Sequence, residues 1–198
     1  MMTRFENRNA LAAHWEYVVL AVGLLAAIGG GTSTTPFSTQ NNTRWSGVTL
    51  NVQEGGAHIC NYTSSNRELN KAFTGAEEGD GGLHFTGNGG VLYMNAANTV
   101  RGGTWLEGNV TYVPKNDQAL GVVPDAPTNN IFITSSSPTF HMGGSWDTNP
   151  NRNVLVSSGV TFRVGAAAGM VGRICGEIGC DGEDPTDCCL RMVENWQG

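Results

Sequence analysis

Cysteines are the residues in this chain whose type and spacing most suggest chemistry, because four of the five cluster near the C-terminus. Their C-x4-C-x7-C-C spacing does not fit a zinc site, since adjacent cysteines cannot easily turn toward one ion. In an oxidising compartment the pattern favours disulfides, for example Cys175 or Cys180 with Cys188 or Cys189. Buried thiols are the alternative, and an odd cysteine count leaves at least one thiol outside any intrachain pair.

Acidic residues are the next candidates for chemistry. Residues 181–187 concentrate carboxylates that could attract Ca²⁺, but they do not match the spacing of an EF-hand loop. Glu77 and Glu78 lie in a Gly-rich turn, and residues 143–147 lack the final Gly of a nucleophile elbow. The sequence therefore predicts a solvated turn at 181–187, no catalytic residues, no metal site and no cofactor.

Aromatic side chains offer a third kind of site. His84 and His141 each adjoin a Phe in an alternating pattern, which is typical of half-buried strand histidines rather than ligands or bases. Trp45, Trp105 and Trp146 each lie beside Gly or Ser. We predict that they fill the core, with contact to a sugar or a neighbouring subunit as the functional alternative.

Charge excludes one class of function. The chain carries 11 basic and 17 acidic residues, a net charge of −6, and the basic residues are scattered. Affinity for nucleic acid comes mainly from clustered Lys and Arg. The sequence therefore predicts no nucleic-acid partner.

The N-terminal segment, residues 1–31, predicts an apolar helix. Asn9 is a plausible N-cap and three glycines from Gly29 a plausible stop. A helix over 10–28 would rise about 28 Å, close to the ~30 Å apolar thickness of a bilayer. A signal peptide, a membrane anchor and a helix buried between subunits remain open, and His14 and Glu16 count against a clean membrane span. The residues expected to anchor the chain or join it to an assembly are Trp15, Tyr17, Val18, Val19, Leu20, Val22, Leu24, Leu25 and Ile28.

A Glu-Tyr pair, Glu16-Tyr17, opens the apolar run that follows, and in this feature the segment resembles the start of small Flp-type pilins. The resemblance covers only residues 16–28. The Gly that pilins carry just before their processing site is missing here, and the long Gly-rich remainder is unlike a small pilin.

Beyond a polar linker at 32–44, the composition predicts an all-β domain over 45–169. Short runs rich in Val, Ile, Thr and aromatic residues alternate with Gly and Asn breakers. A Val-Thr-apolar core near residues 48–52 returns imperfectly at 110–113 and 160–164, at unequal separations. Two architectures follow, a sandwich or jelly roll and a β-helix or related solenoid, and we favour the sandwich.

The tail, residues 170–198, predicts a short C-terminal helix. Asp184 before Pro185 resembles a helix start, because Pro suits the first helical position and acidic residues favour the positive helix end. Cys189, Val193 and Trp196 would then lie on one face, with Trp196 docked on the domain.

This chain is an acidic β protein that is poor in Lys and rich in Gly, Asn and Thr. In this composition it resembles the decoration, spike and fibre proteins of bacteriophage and other virions. That resemblance implies a non-enzymatic structural component at the virion surface or shell. Its partners would be copies of itself, other structural subunits and, through the N-terminal helix, a membrane. The alternatives are an exported, membrane-anchored cell-surface adhesin or pilus subunit, and a β-helix carbohydrate-active enzyme.

Overall fold

The computed structural model describes residues 26–28, 50–52, 56–61, 66–75, 81–182 and 188–196. The described residues form short strands joined by turns, with a 3₁₀ helix at Asp117–Leu120. The all-β prediction is therefore confirmed. The strands are β1 Ala26–Ile28, β2 Leu50–Val52, β3 Ala57–Asn61, β4 Arg67–Leu69, β5 Phe73–Gly75, β6 Leu83–Gly87, β7 Val91–Met94, β8 Thr104–Leu106, β9 Thr111–Pro114, β10 Thr128–Ile133, β11 Thr139–Met142, β12 Arg152–Val156, β13 Thr161–Ala167, β14 Ile178–Cys180 and β15 Cys189–Trp196.

Every strand pair among the described residues is parallel, and the pairing defines a β-solenoid of about five turns. Sheet A has the order β1-β2-β5, sheet B the order β14-β12-β10-β8-β6-β3, and sheet C the order β15-β13-β11-β9-β7-β4. Each turn contributes one strand to sheet B and the next to sheet C. The preference for a sandwich was wrong, and the β-helix alternative is supported.

Sheet A continues past β5 as irregular segments that still hydrogen-bond from turn to turn. The Thr99 amide donates to the Phe73 carbonyl, and the Val122 amide donates to the Val100 carbonyl, each at 2.9 Å. Further along, Asp147 and Arg173 form an isolated parallel bridge. The solenoid therefore has three sides.

The core lies between the three sides and follows from alternation along the strands. In β6 and β12 every second residue is buried, and β13 follows the same pattern from Thr161 to Val164. These inward residues stack on their partners one turn away. The central layer includes Leu83, Phe85, Leu106, Ile131, Ile133, Tyr112, Phe140 and Phe162. Because the sheets are parallel and joined by turns, each apolar row is a ladder along the axis.

Buried polar side chains hold the corners between turns. Asn98 accepts from the Phe73 amide at 2.8 Å and donates to the Ala119 carbonyl at 2.6 Å. Arg152, with no exposed surface, pairs with Asp117 at 2.9 Å and donates to the Gly121 carbonyl at 2.6 Å. These contacts satisfy backbone groups that would otherwise be buried without partners.

At both ends of the chain, the described residues form a strand where the sequence predicts a helix. Ala26–Ile28, at the end of the predicted N-terminal helix, forms β1 and pairs in parallel with β2, so the helix prediction is wrong for these residues. Residues 1–25 lie outside the described part. Cys189–Trp196, predicted as a helix, forms β15 and pairs with β13. A capped start at Asp184 is a local signal, whereas most residues of β15 gain a partner in β13 across the sheet.

Candidate functional site

A row of aromatic rings runs along the outer face of sheet B. His58, His84, Trp105 and Phe132 are direct partners on successive strands, and all four are half-buried. Their rings stack with centroids 4.4, 4.3 and 4.4 Å apart and interplanar angles of 18°, 11° and 11°. We call these four residues the aromatic row; Leu155 follows Phe132 in the same register.

Glycines one turn earlier make room for the rings. A Cβ at Gly82 would collide with the Trp105 ring and would lie 2.6 Å from the Gly103 carbonyl oxygen. A Cβ at Gly103 would lie 3.0 Å from Phe132, and Gly103 also has a positive φ of 97° that side chains rarely adopt. The Trp105 and Phe132 rings therefore each pack across a backbone position that carries no side chain.

The match between a glycine and the ring one turn later has a signal in the sequence, which the predictions from sequence did not use. Two adjacent glycines, one further residue, an aromatic residue and an apolar residue occur three times. The copies are Gly55-Gly56-Ala57-His58-Ile59, Gly81-Gly82-Leu83-His84-Phe85 and Gly102-Gly103-Thr104-Trp105-Leu106. Turns of 26, 21 and 27 residues separate the paired residues Ala57, Leu83, Thr104 and Ile131, so no fixed period reveals the repeat.

Burial sets the charge state of the row. Desolvation, followed by the nearby His58, lowers the pKa of His84 from 6.5 to about 4. His84 is therefore neutral near pH 7, and its ring stacks between His58 and Trp105 without an ionic penalty. The part of the outer surface formed by the His84, Trp105 and Phe132 rings is therefore uncharged at this pH.

The stacking decides what the row can contact. His84 covers one face of the Trp105 ring and Phe132 covers the other. A sugar ring binds an aromatic residue through its face, so Trp105 cannot offer the stacking platform that the sugar-contact alternative needs. The four residues are only half-buried, so the row forms an aromatic strip along the axis that suits contact with another protein surface.

The other predicted aromatic contacts lie apart from this row. Trp146 follows β11 and packs edge-on against Phe140 with centroids 6.3 Å apart. Its indole nitrogen is buried without a hydrogen-bond partner. Trp146 is half-buried and packs against the core, while Trp45 lies outside the described residues.

The structure does not bring the predicted histidines into one site. His141 is buried on sheet C, and burial lowers its pKa, partly opposed by a backbone hydrogen bond at Ala166. His58 and His84 belong to sheet B. Among the described residues no group of three or more His, Cys, Asp or Glu side chains is arranged to hold a metal ion.

Of the tail pairings left open by the sequence, the structure has Cys180 with Cys188. This disulfide joins the end of β14 to the residue before β15, so it closes the last turn between sheets B and C. Cys175 and Cys189 are exposed free thiols, and Cys60 is buried.

The predicted anchoring residues lie outside the described part of the chain, with the exception of Ile28, whose backbone belongs to β1. These residues are Trp15, Tyr17, Val18, Val19, Leu20, Val22, Leu24 and Leu25. Among the residues that the structure describes, no helix is long and apolar enough to span a membrane. An anchoring role for residues 1–25 stays a prediction.

Comparison with known proteins gives no relative from which a role could be transferred. No protein-family model, no curated protein and no solved structure matches this chain. A function for it has to come from the chemistry and geometry of its own surface.

Proposed function

We propose that this chain is a non-enzymatic structural component of a multi-subunit surface assembly, of the kind formed by virion decoration, spike and fibre proteins. The observation that carries the proposal is the aromatic row, a strip of four half-buried stacked rings that follows the axis of the solenoid. Such a strip offers the same contact at successive turns. It suits a straight, repeated interface with another subunit better than it suits a small molecule.

The C-terminal end of the solenoid supports the same proposal. Ile178 and Leu190 occupy inward rows of sheets B and C but are 41% and 53% exposed. In the described part of the chain no further turn covers them. Apolar side chains exposed at inward positions favour contact with another subunit.

A substitution next to the aromatic row tests the proposal. Leu155 lies beside Phe132 in register, on the outer face and outside the ring stack. Leu155→Glu places a charge in the proposed interface and should shift the assembled protein toward monomer in sedimentation velocity, because burying an unpaired carboxylate is costly. Val123→Glu, a matched change on the third side, should leave assembly unchanged.

Two outcomes contradict this proposal. If the full chain is monomeric at every concentration reached, with no particle or filament in electron micrographs, the chain has no assembly role of its own. If Leu155→Glu and Val123→Glu weaken assembly equally, the aromatic row is not the interface.

The disulfide favours a second candidate, an exported cell-surface adhesin or pilus subunit. Disulfides persist in oxidising compartments, whereas a particle assembled in the cytoplasm keeps its thiols reduced. Alkylation of the natively isolated protein followed by mass spectrometry distinguishes the two. An oxidised Cys180–Cys188 pair at the moment of isolation favours export, and four alkylated tail cysteines favour cytoplasmic assembly.

A further inference from the structure

An arginine pair lies on the outer face of sheet C, away from the aromatic row. Arg163 in β13 and Arg191 in β15 are direct partners in the parallel ladder. Neighbouring strands are about 4.8 Å apart, so the two side chains leave the sheet side by side. Arg191 is exposed and Arg163 is half-buried.

No acidic side chain balances this pair among the described residues. The ion pairs there join Arg152 to Asp117 and Arg173 to Asp147. Arg163 instead donates from Nη1 to the Ser137 carbonyl at 3.1 Å, which fixes its guanidinium against the sheet and leaves other N–H donors free. Like charges directly opposite each other on neighbouring strands destabilise a sheet, so an anion between them would be stabilising.

Hydroxyl groups extend the pair along the axis. Arg163 is in register with Thr139, and Thr139 with Thr111, and both threonines are half-buried on the same outer face. The row Thr111, Thr139, Arg163 and Arg191 spans about 14 Å at the usual strand spacing. Guanidinium groups bind oxyanions such as carboxylates and tetrahedral phosphate-like groups through two parallel hydrogen bonds, and threonine hydroxyls both donate to and accept from sugar hydroxyls.

From this geometry we infer that Thr111, Thr139, Arg163 and Arg191 form a binding site for a polysaccharide that carries carboxylate or sulfate groups. The arginine pair holds the oxyanion, and the threonines contact hydroxyls of the adjoining sugar. The site lies on a different sheet from the proposed assembly interface. Binding needs no assembly, so either proposal can fail while the other stands.

Isothermal titration calorimetry with dextrans tests the site, because one backbone can be compared neutral, carboxymethylated and sulfated. The full chain should bind at least one charged dextran and should not bind neutral dextran at the same concentration. Whichever charged form binds more tightly identifies the preferred oxyanion. Arg191→Gln and Arg163→Gln should each weaken binding by about tenfold or more, the loss expected for hydrogen bonds to a charged group.

Arg101→Gln is the matched control, because it removes the same charge from an exposed residue that lies outside sheet C. It should change the affinity less than twofold. Arg191→Lys should bind with intermediate affinity, because it keeps the charge and loses the fork geometry. Because Arg191 is exposed, its variants remain informative if Arg163→Gln does not fold.

Three results would overturn the inference. The site is absent if neither charged dextran binds, or if neutral dextran binds equally well. It is also absent if Arg101→Gln weakens binding as much as Arg191→Gln, since attraction would then depend on net charge alone.

Discussion

At the scale of single residues, several buried polar side chains of the described part, among them Asn98, Thr104 and Arg152, bond backbone carbonyls in the turns. Arg152 shows this best: burial lowers its pKa, while the charge and hydrogen bond of Asp117 raise it. Its guanidinium joins the 3₁₀ helix and the following turn to the start of β12. Tyr112 likewise directs its hydroxyl at the Phe85 and Glu107 carbonyls, at 2.7 and 2.5 Å.

His84 makes the stability of the solenoid depend on pH. Its pKa is about 4 in the folded chain and 6.5 when unfolded, so between these values the unfolded chain binds a proton that the native chain does not. The free energy of unfolding should therefore fall by about 1–2 kcal/mol as the pH drops from 7 to 4, less than the full shift implies because the ring is partly exposed. His84→Phe keeps the stack and should reduce this loss.

Urea unfolding of both proteins at pH 7 and at pH 4.5 measures the effect. Groups other than His84 titrate in both proteins, so the informative quantity is the difference between them. Equal losses in the wild-type chain and in His84→Phe would show that His84 does not titrate as its burial predicts.

At the scale of elements, sheet B depends on the match between a glycine and the ring one turn later. Gly82→Ala introduces a Cβ that collides with Trp105 and with the Gly103 carbonyl, and backbone cannot yield as a flexible side chain can. We expect a loss of about 1–3 kcal/mol in the free energy of unfolding, as for overpacked cores, together with a change in tryptophan fluorescence.

Gly144→Ala is the control for this substitution. Its Cβ would lie 3.5 Å from the nearest atom of Trp146, which is an ordinary contact. Its stability in urea should stay within about 0.5 kcal/mol of wild type, the range for substitutions without a specific clash. A Gly82→Ala protein as stable as Gly144→Ala would mean that the rings are not seated against the glycines.

The element scale also explains the misleading internal echo in the sequence. The Val-Thr-apolar copies at 110–113 and 160–164 both open strands of sheet C, but register pairs Thr111 with Thr139 and Thr139 with Arg163. The copies are therefore offset by two residues. The two segments are similar because both alternate apolar and polar residues, but they do not occupy the same position in the turn.

At the scale of the whole molecule, residues 1–25 can be separated from the solenoid by deletion. The cut should precede Ala26, because a cut after Gly31 would also remove β1 from sheet A. We expect the chain without residues 1–25 to fold with unchanged circular dichroism and urea stability, and to lose its place in the assembly. Sedimentation velocity and co-purification with the native particle, filament or membrane measure that loss.

A truncated chain that still assembles like the full chain would make the anchoring prediction wrong. Removal of residues 1–49 is a useful companion, because it also takes β1 away from β2. Loss of stability in that variant alone would show that sheet A needs β1 and that residues 1–25 do not contribute to the fold.

The sequence by itself determined the all-β class, because alternating apolar residues between Gly and Asn breakers leave no helical face over 45–169. It also limited the possible cysteine pairs of the tail to a short set that includes the observed Cys180–Cys188 bond. It did not determine the choice between sandwich and solenoid, since both bury the same alternation and the turns here vary from 21 to 27 residues.

Tertiary structure alone decided which residues meet. His58, His84, Trp105 and Phe132 are 21 to 27 residues apart, and only the register of parallel strands makes them one row. The same register pairs Arg163 with Arg191 and draws the tail into a strand against its helix-start signal. Local helix propensity contributes less free energy than the hydrogen bonds and buried surface that a segment gains by pairing with the edge of a sheet.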